Sequence, residues 1–166
     1  MNFSSLKEYF YKLYNAGMRR MLFPLTIFLA IYYLFLSDLI SPFIDDARII
    51  ALMLVVYPII VLITLTIVHL GIRKILRSCA AIVGLGNKLD IFYEVMRKKM
   101  KTALWISVFT ASGFLLTGHE WFSLYFAGII AWFVFQWPTP RKVSNQLKLK
   151  GDERTMVLTK GDAFRF

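Results

Sequence analysis

ALWISVFTASGFLLTGHEWFSLYFAGIIAWFVFQW, residues 103–137, decides what kind of molecule this is. The stretch contains no Asp, Lys or Arg, and its apolar character breaks only at Gly118, His119 and Glu120 near the midpoint. That pattern predicts two short membrane helices folded back on each other. Ala103, Ser107 and Ala111 recur every four residues on the first arm, and Ser123, Ala127 and Ala131 do so on the second. Residues at that spacing share a helix face. Small side chains on such a face let two backbones approach closely in lipid, where apolar bulk gives no net drive to associate.

Length is the difficulty with this hairpin. An arm of roughly 16 residues measures about 24 Å, short of the ~30 Å hydrocarbon core. Crossing therefore requires extension into residues 99–102 and Pro138, with Lys101 snorkelling. The alternative is a re-entrant loop that never crosses. Glu120 favours crossing, because a carboxylate is costly in hydrocarbon and solvated at the far interface, where Trp121 joins an aromatic belt.

Composition agrees with a membrane protein. Of 166 residues, 58% are hydrophobic and 16% aromatic, too apolar for a soluble domain of this size. A net charge of +10 coexists with that apolar bulk, so the charges must be segregated from it. The cations flank the apolar runs, which points to anionic lipid and membrane topology and away from nucleic acid. The single Cys79 excludes an intrachain disulfide and a Cys-rich metal site. No cleavable signal peptide is expected, because the first apolar run starts near Met21 and lacks a small-residue cleavage pattern.

Before that run, residues 1–20 set Phe3, Leu6, Tyr9, Phe10, Leu13 and Tyr14 against Lys7, Glu8, Lys12, Arg19 and Arg20. Spacings of three and four predict an amphipathic helix lying in the membrane interface. Ser4 or Ser5 supplies its cap, with Glu8 completing a capping-box pattern. The first transmembrane hairpin then occupies residues 21–71. Its first span, about Met21 to Ile40, carries Pro24 in the first turn and Asp38 near the far end. Ser41-Pro42 breaks the helix, and a short loop with Asp45, Asp46 and Arg48 follows. The second span, about Ile49 to Leu70, contains Pro58, which predicts a kink or a freed carbonyl near Leu54.

Residues 72–102 change character. Ile72, Ile75, Leu76, Cys79, Ile82 and Val83 keep helical spacing against Arg73, Lys74 and Arg77. After Gly84-Leu85-Gly86-Asn87, a second amphipathic stretch (Leu89, Phe92, Tyr93, Met96, Met100) carries Arg97, Lys98, Lys99 and Lys101. The glycines lack the spacing of a nucleotide-binding loop. The expectation is a helix, a turn and a helix resting on the cytoplasmic membrane face or on a partner. The second hairpin follows at 103–138, and 139–166 is a polar cytoplasmic tail in which Gly151-Asp152 reads as a turn and Thr155 to Thr159 as a strand.

The fold class predicted is thus all-α and integral to the membrane. Four transmembrane helices form two antiparallel hairpins, with an interfacial helix before them and a cytoplasmic amphipathic segment between. Loop charge places both termini in the cytoplasm of a plasma or inner membrane, since the two intervening loops hold Arg48 alone among cations.

Reactive groups are sparse. Asp38, Asp45, Asp46, His119 and Glu120 would share the outward side and could converge if the hairpins pack side by side, but such clusters also arise from the charge rule alone. Cys79 lacks a base beside it other than His69. Thr26, Thr64, Thr66, Ser107, Thr110, Ser112 and Thr117 can bond to their own helix backbones and need no substrate. No cofactor or metal is predicted. The leading expectation is a non-catalytic membrane subunit or adaptor that contacts anionic lipid, other membrane proteins or its own copies. Second comes an oligomeric channel or small-solute carrier, third a membrane-shaping hairpin protein, and an enzyme last.

Overall fold

The computed structural model describes residues 5–79, 82 and 84–161. It is 82% helical, with no strand among the described residues. Six helices follow in order: α1 Leu6–Leu36, α2 Ala47–Cys79, α3 Leu85–Thr117, α4 Trp121–Phe135, α5 Pro140–Gln146 and α6 Gly151–Leu158. Three of them, α1 to α3, are long and apolar enough to cross a membrane. A fourth qualifies if α4 and α5, bent by 75° at the break between them, count as one span. Phe3, Ser4 and Val83, named above, lie outside the described residues.

The changes of polarity at 20/21, 71/72 and 102/103 fall inside α1, α2 and α3 and not between helices. The helices run through these points, α1 even past Pro24, whose missing N–H would otherwise have bonded to Arg20 O at the 20/21 change. Pro24 consequently sits deep within α1 and not in a first turn. The true start of α1 is capped as expected, with the Glu8 N–H donating to Ser5 Oγ at 3.2 Å.

The chain forms two compact units. A basic unit comprises Met1–Met18, His69–Lys99 and Trp137–Phe166, and an apolar unit comprises Arg19–Val68 and Met100–Gln136. Sixteen of the 20 Lys and Arg and six of the 10 Asp and Glu belong to the basic unit, so the whole net charge of +10 resides there. The apolar unit is balanced.

The basic unit has its own core. Tyr9, Phe10 and Leu13 of α1 are each 1% exposed, joined by Ile72, Leu76 and Cys79 of α2, Phe92 and Met96 of α3, and Val143, Leu147 and Val157 from the C-terminal segment. Tyr9 packs edge-on against Phe10 with centroids 5.4 Å apart and donates its hydroxyl to Leu89 O at 3.0 Å. The aromatic face expected in the membrane interface is therefore covered by protein. Periodicity shows that a helix has an apolar side and does not show what covers it.

The polar tail also differs from expectation. Thr139 caps α5, its side chain accepting from the Lys142 N–H, with Pro140 in the first turn. Gly151, at φ +53°, opens α6, and Asp152 and Glu153 sit in its first turn, where acids suit the helix dipole. The strand-like Thr155 and Thr159 spend their hydroxyls on Gly151 O and Thr155 O one turn back, and Val157 is fully buried. A Lys88–Glu153 ion pair at 2.8 Å fastens α6 to α3.

In the apolar unit, Phe28 of α1 stacks on Phe126 of α4 at 4.1 Å and tilts against Phe114 of α3 at 5.3 Å. Tyr57 of α2 stacks on Phe109 of α3 at 4.2 Å and meets Phe122 of α4 edge-on at 5.2 Å. Beneath that pair lies Gly113, where a Cβ would come within 2.4 Å of Phe122 and 2.9 Å of Tyr57. The segment between α1 and α2 is held at the end of α3, with the Phe43 and Ile44 N–H groups both donating to Leu116 O at 3.0 Å.

Candidate functional site

Asp38, Asp45, Asp46, His119 and Glu120, which could meet only if the hairpins pack side by side, form no metal-binding group. Among the described residues, no three His, Cys, Asp or Glu side chains come close enough to hold a metal ion. Several have local duties instead. Asp46 Oδ1 accepts from the Arg48 N–H at 2.8 Å and caps the start of α2. His119 Nδ1 accepts from the Trp121 N–H at 3.4 Å, at the turn into α4. Asp38, at φ +52°, is exposed in the turn after α1, and Asp45 and Glu120 are exposed too.

The two small-residue faces have different fates. Ala103, Ser107 and Ala111 of α3 are 2%, 3% and 1% exposed, so that face is packed. Ala127 and Ala131 of α4 are exposed and Ser123 is half-buried. The buried face of α4 is Phe122, Phe126, Ile129 and Phe133. Large rings on α4 are accommodated by Gly113 and Ala111 on α3, so small residues are needed on only one of the two helices. Every one of the seven hydroxyls expected to bond within its own helix does so, from Thr26 to Leu22 O at 3.0 Å through Thr117 to Gly113 O at 2.9 Å.

The surface cations of the basic unit are the strongest functional candidates. Along the end of α2, Ile72, Leu76 and Cys79 point into the core while Arg73, Lys74 and Arg77 are exposed on the opposite side. None of the three has an ion-pair partner among the described residues. Cations in the last turn also complement the helix dipole, which explains Arg77 but not Arg73. On α3, Arg97 and Lys98 are exposed, Arg97 lying 3.7 Å from Glu94; Lys101, one turn on and already in the apolar unit, is exposed too.

Lys99 departs from that set. It is 5% exposed, and burial together with the nearby charge of Lys142 lowers its ammonium pKa to about 8. Sequence spacing groups it with its neighbours; its position on α3 turns it inward. Cys79 is similarly withdrawn, 1% exposed, with its thiol pKa pushed up by burial. It is a packed core residue.

In the apolar unit, sequence reasoning missed a cross-helix bond. Tyr125 of α4 donates its hydroxyl to Leu54 O of α2 at 3.1 Å. Pro58 signals that this carbonyl is freed, but nothing in the sequence names the group that takes it. Comparison with known proteins returns no match to any protein-family model, curated protein or solved structure.

Proposed function

We propose that this protein is a non-catalytic membrane subunit or adaptor that presents a folded, strongly basic helical unit at the cytoplasmic membrane surface to an acidic partner. One observation carries the reading. The full net charge of +10 belongs to a unit with its own buried core, on which Arg73, Lys74 and Arg77 stand exposed, with no ion-pair partner among the described residues. Such a surface raises the local concentration of acidic partners and anionic headgroups and steers their approach.

In this reading α1 to α4 cross the bilayer as two hairpins. α4 is the short member, 15 residues or about 22 Å, with exposed Trp121 at one end and Trp137 beyond the other as interfacial anchors. The basic unit faces the cytoplasm of a plasma or inner membrane, as the positive-inside rule favours, and both termini lie on that side. A membrane-bending role would need the N-terminal aromatic face in the lipid, and Tyr9, Phe10 and Leu13 are spent on the unit's own core.

The test is mild-detergent purification of the tagged full chain, followed by native mass measurement and identification of what accompanies it. A stoichiometric foreign protein that is lost from Arg73→Glu/Lys74→Glu/Arg77→Glu, with the variant still folded, is the expected result. A homo-oligomer with no foreign protein, unchanged by the triple reversal, overturns the adaptor reading and moves the case to an oligomeric channel.

A further inference from the structure

Tyr32 of α1 and Glu120, Trp121, Ser123 and Leu124 around the start of α4 border an open pocket of about 450 Å³ in the apolar unit. Its chemistry is mixed, and the polar part selects by charge. The Glu120 carboxylate has no ion-pair partner among the described residues and makes no capping bond to α4. The neighbouring His119 does not neutralise it. His119 Nδ1 accepts from the Trp121 N–H, and an imidazole nitrogen that accepts holds no proton, so the ring is uncharged. Two aromatic rings share the pocket with this carboxylate. Tyr32 is held in place by stacking on Phe28 at 6.4 Å and on Phe114 at 5.8 Å, and the Trp121 indole is exposed. Aromatic faces and a carboxylate together attract an organic cation. Ser123 adds a second acceptor, because its buried Oγ, unlike the seven helix hydroxyls described above, has no hydrogen-bond partner. A primary ammonium brings N–H donors to such oxygens, and a trimethylated one brings none.

We propose that this pocket binds the primary ammonium of an ethanolamine phospholipid headgroup, at the membrane surface opposite the basic unit. The inference rests on the membrane reading above, in which the turn before α4 faces away from the cytoplasm. The order of the wall matches a lipid lying along α4: a carboxylate at Glu120 for the ammonium, the Trp121 ring at headgroup depth, and apolar Leu124 one turn farther in. An anionic headgroup is repelled by Glu120. A second copy of the chain is a poor occupant, since its two outward loops hold Arg48 alone among cations.

The full chain in mild detergent is loaded with phosphatidylethanolamine, phosphatidylcholine and phosphatidylglycerol of identical acyl chains, and the bound lipids are counted by native mass spectrometry. The expected result is one phosphatidylethanolamine retained in preference to phosphatidylcholine. That preference should fall about tenfold in Glu120→Gln, as loss of a charged hydrogen bond implies, and fall also in Trp121→Leu. Asp45→Asn, which removes an exposed acid outside the pocket, should leave it unchanged. Phosphatidylglycerol held by the basic unit should be the same in all variants, which separates this site from the basic surface. Equal retention of the ethanolamine and choline lipids, or a preference that survives both pocket variants, overturns the proposal and leaves membrane insertion intact. Displacement of the lipid by soluble ethanolamine at equal concentration assigns the pocket to a free amine and overturns it too. A chain that stays monodisperse without detergent and retains none of the three lipids sinks the membrane reading itself, and this inference with it.

Discussion

The hydroxyl of Tyr125 donates to the carbonyl oxygen of Leu54 at 3.1 Å, and Leu54 is the residue whose helical partner would be the N–H that Pro58 lacks. A proline in a membrane helix needs such a substitute donor, because lipid supplies none. Tyr125→Phe should therefore cost about 1 kcal/mol, in the range of measured interhelical hydrogen bonds in membranes. Pro58→Ala restores the missing N–H, so Tyr125→Phe should cost much less in that background. A double-mutant cycle on unfolding in mixed micelles measures the coupling, and strict additivity would refute the pairing.

Gly113 and Gly128 make opposite predictions for the same substitution. Gly113→Ala drives a methyl into Phe122 and Tyr57 and should destabilise by about 1–3 kcal/mol, as overpacking does. Gly128→Ala meets open space and gains helix propensity, so it should be neutral or stabilising by roughly 0.5–1 kcal/mol. Thermal denaturation of the two variants side by side gives the comparison. Phe122→Leu should recover part of the Gly113→Ala loss by making room.

Tyr9 distinguishes a packed helix from one lying on lipid. Tyr9→Ala removes a fully buried ring and its bond to Leu89 O, and should cost about 3–5 kcal/mol, enough to open the basic unit. Limited proteolysis should then cut within residues 85–99 and 140–158 while the apolar unit stays protected. Tyr11→Ala, two positions away and 69% exposed, should change nothing.

Lys99 predicts a pH dependence of definite sign. Its folded pKa is lowered to about 8 from an ordinary value of 10.5, with burial the larger cause and Lys142 the second. Between those values the unfolded chain holds more protons than the folded one, so stability should rise as pH increases from about 8 toward 10. Below that window both states are protonated and the slope vanishes. Lys99→Met should remove the slope and stabilise the protein at neutral pH, whereas Lys98→Met, at an exposed position, should do neither. Denaturation midpoints at three pH values decide it.

The apolar runs make the long helices legible, because a helix satisfies every backbone group within its own segment and so suits a long apolar stretch in lipid. Ser5, Pro58 and all seven helix hydroxyls behave as their local chemistry requires, since each interaction is set within a few residues of chain. Tyr9, Lys99 and Ala127 depart from the sequence pattern for a common reason. Amphipathic spacing tells which residues share a face, but the identity of the neighbour is a long-range fact. Tyr9 finds Leu89 eighty residues away, and Lys99 finds Lys142. The tail departs from it differently: β-branched Thr155 and Val157 suggest a strand, and burial of Val157 with back-bonded threonines overrides that weak preference. The exposed cations Arg73, Lys74 and Arg77 are legible as a set, because their spacing puts them opposite Ile72 and Leu76 on one short helical segment.

The basic unit draws its core from three separate parts of the chain, with Val157 of α6 buried in the same unit as Tyr9 and Leu76. This has a consequence for biogenesis. On the membrane reading proposed above, α1 and α2 can enter the bilayer as they emerge, but Tyr9 must wait for Leu89 and Tyr93 of α3, and the unit gains its buried Val157 only when α6 follows. Through that interval its rings are uncovered beside a membrane that would accept them, and non-local contacts of this kind form slowly. The core of the basic unit is therefore complete only once α6 has been made. Chains stalled before residue 151 would carry an open, greasy and positively charged head, a form suited to capture by chaperones and removal by proteases.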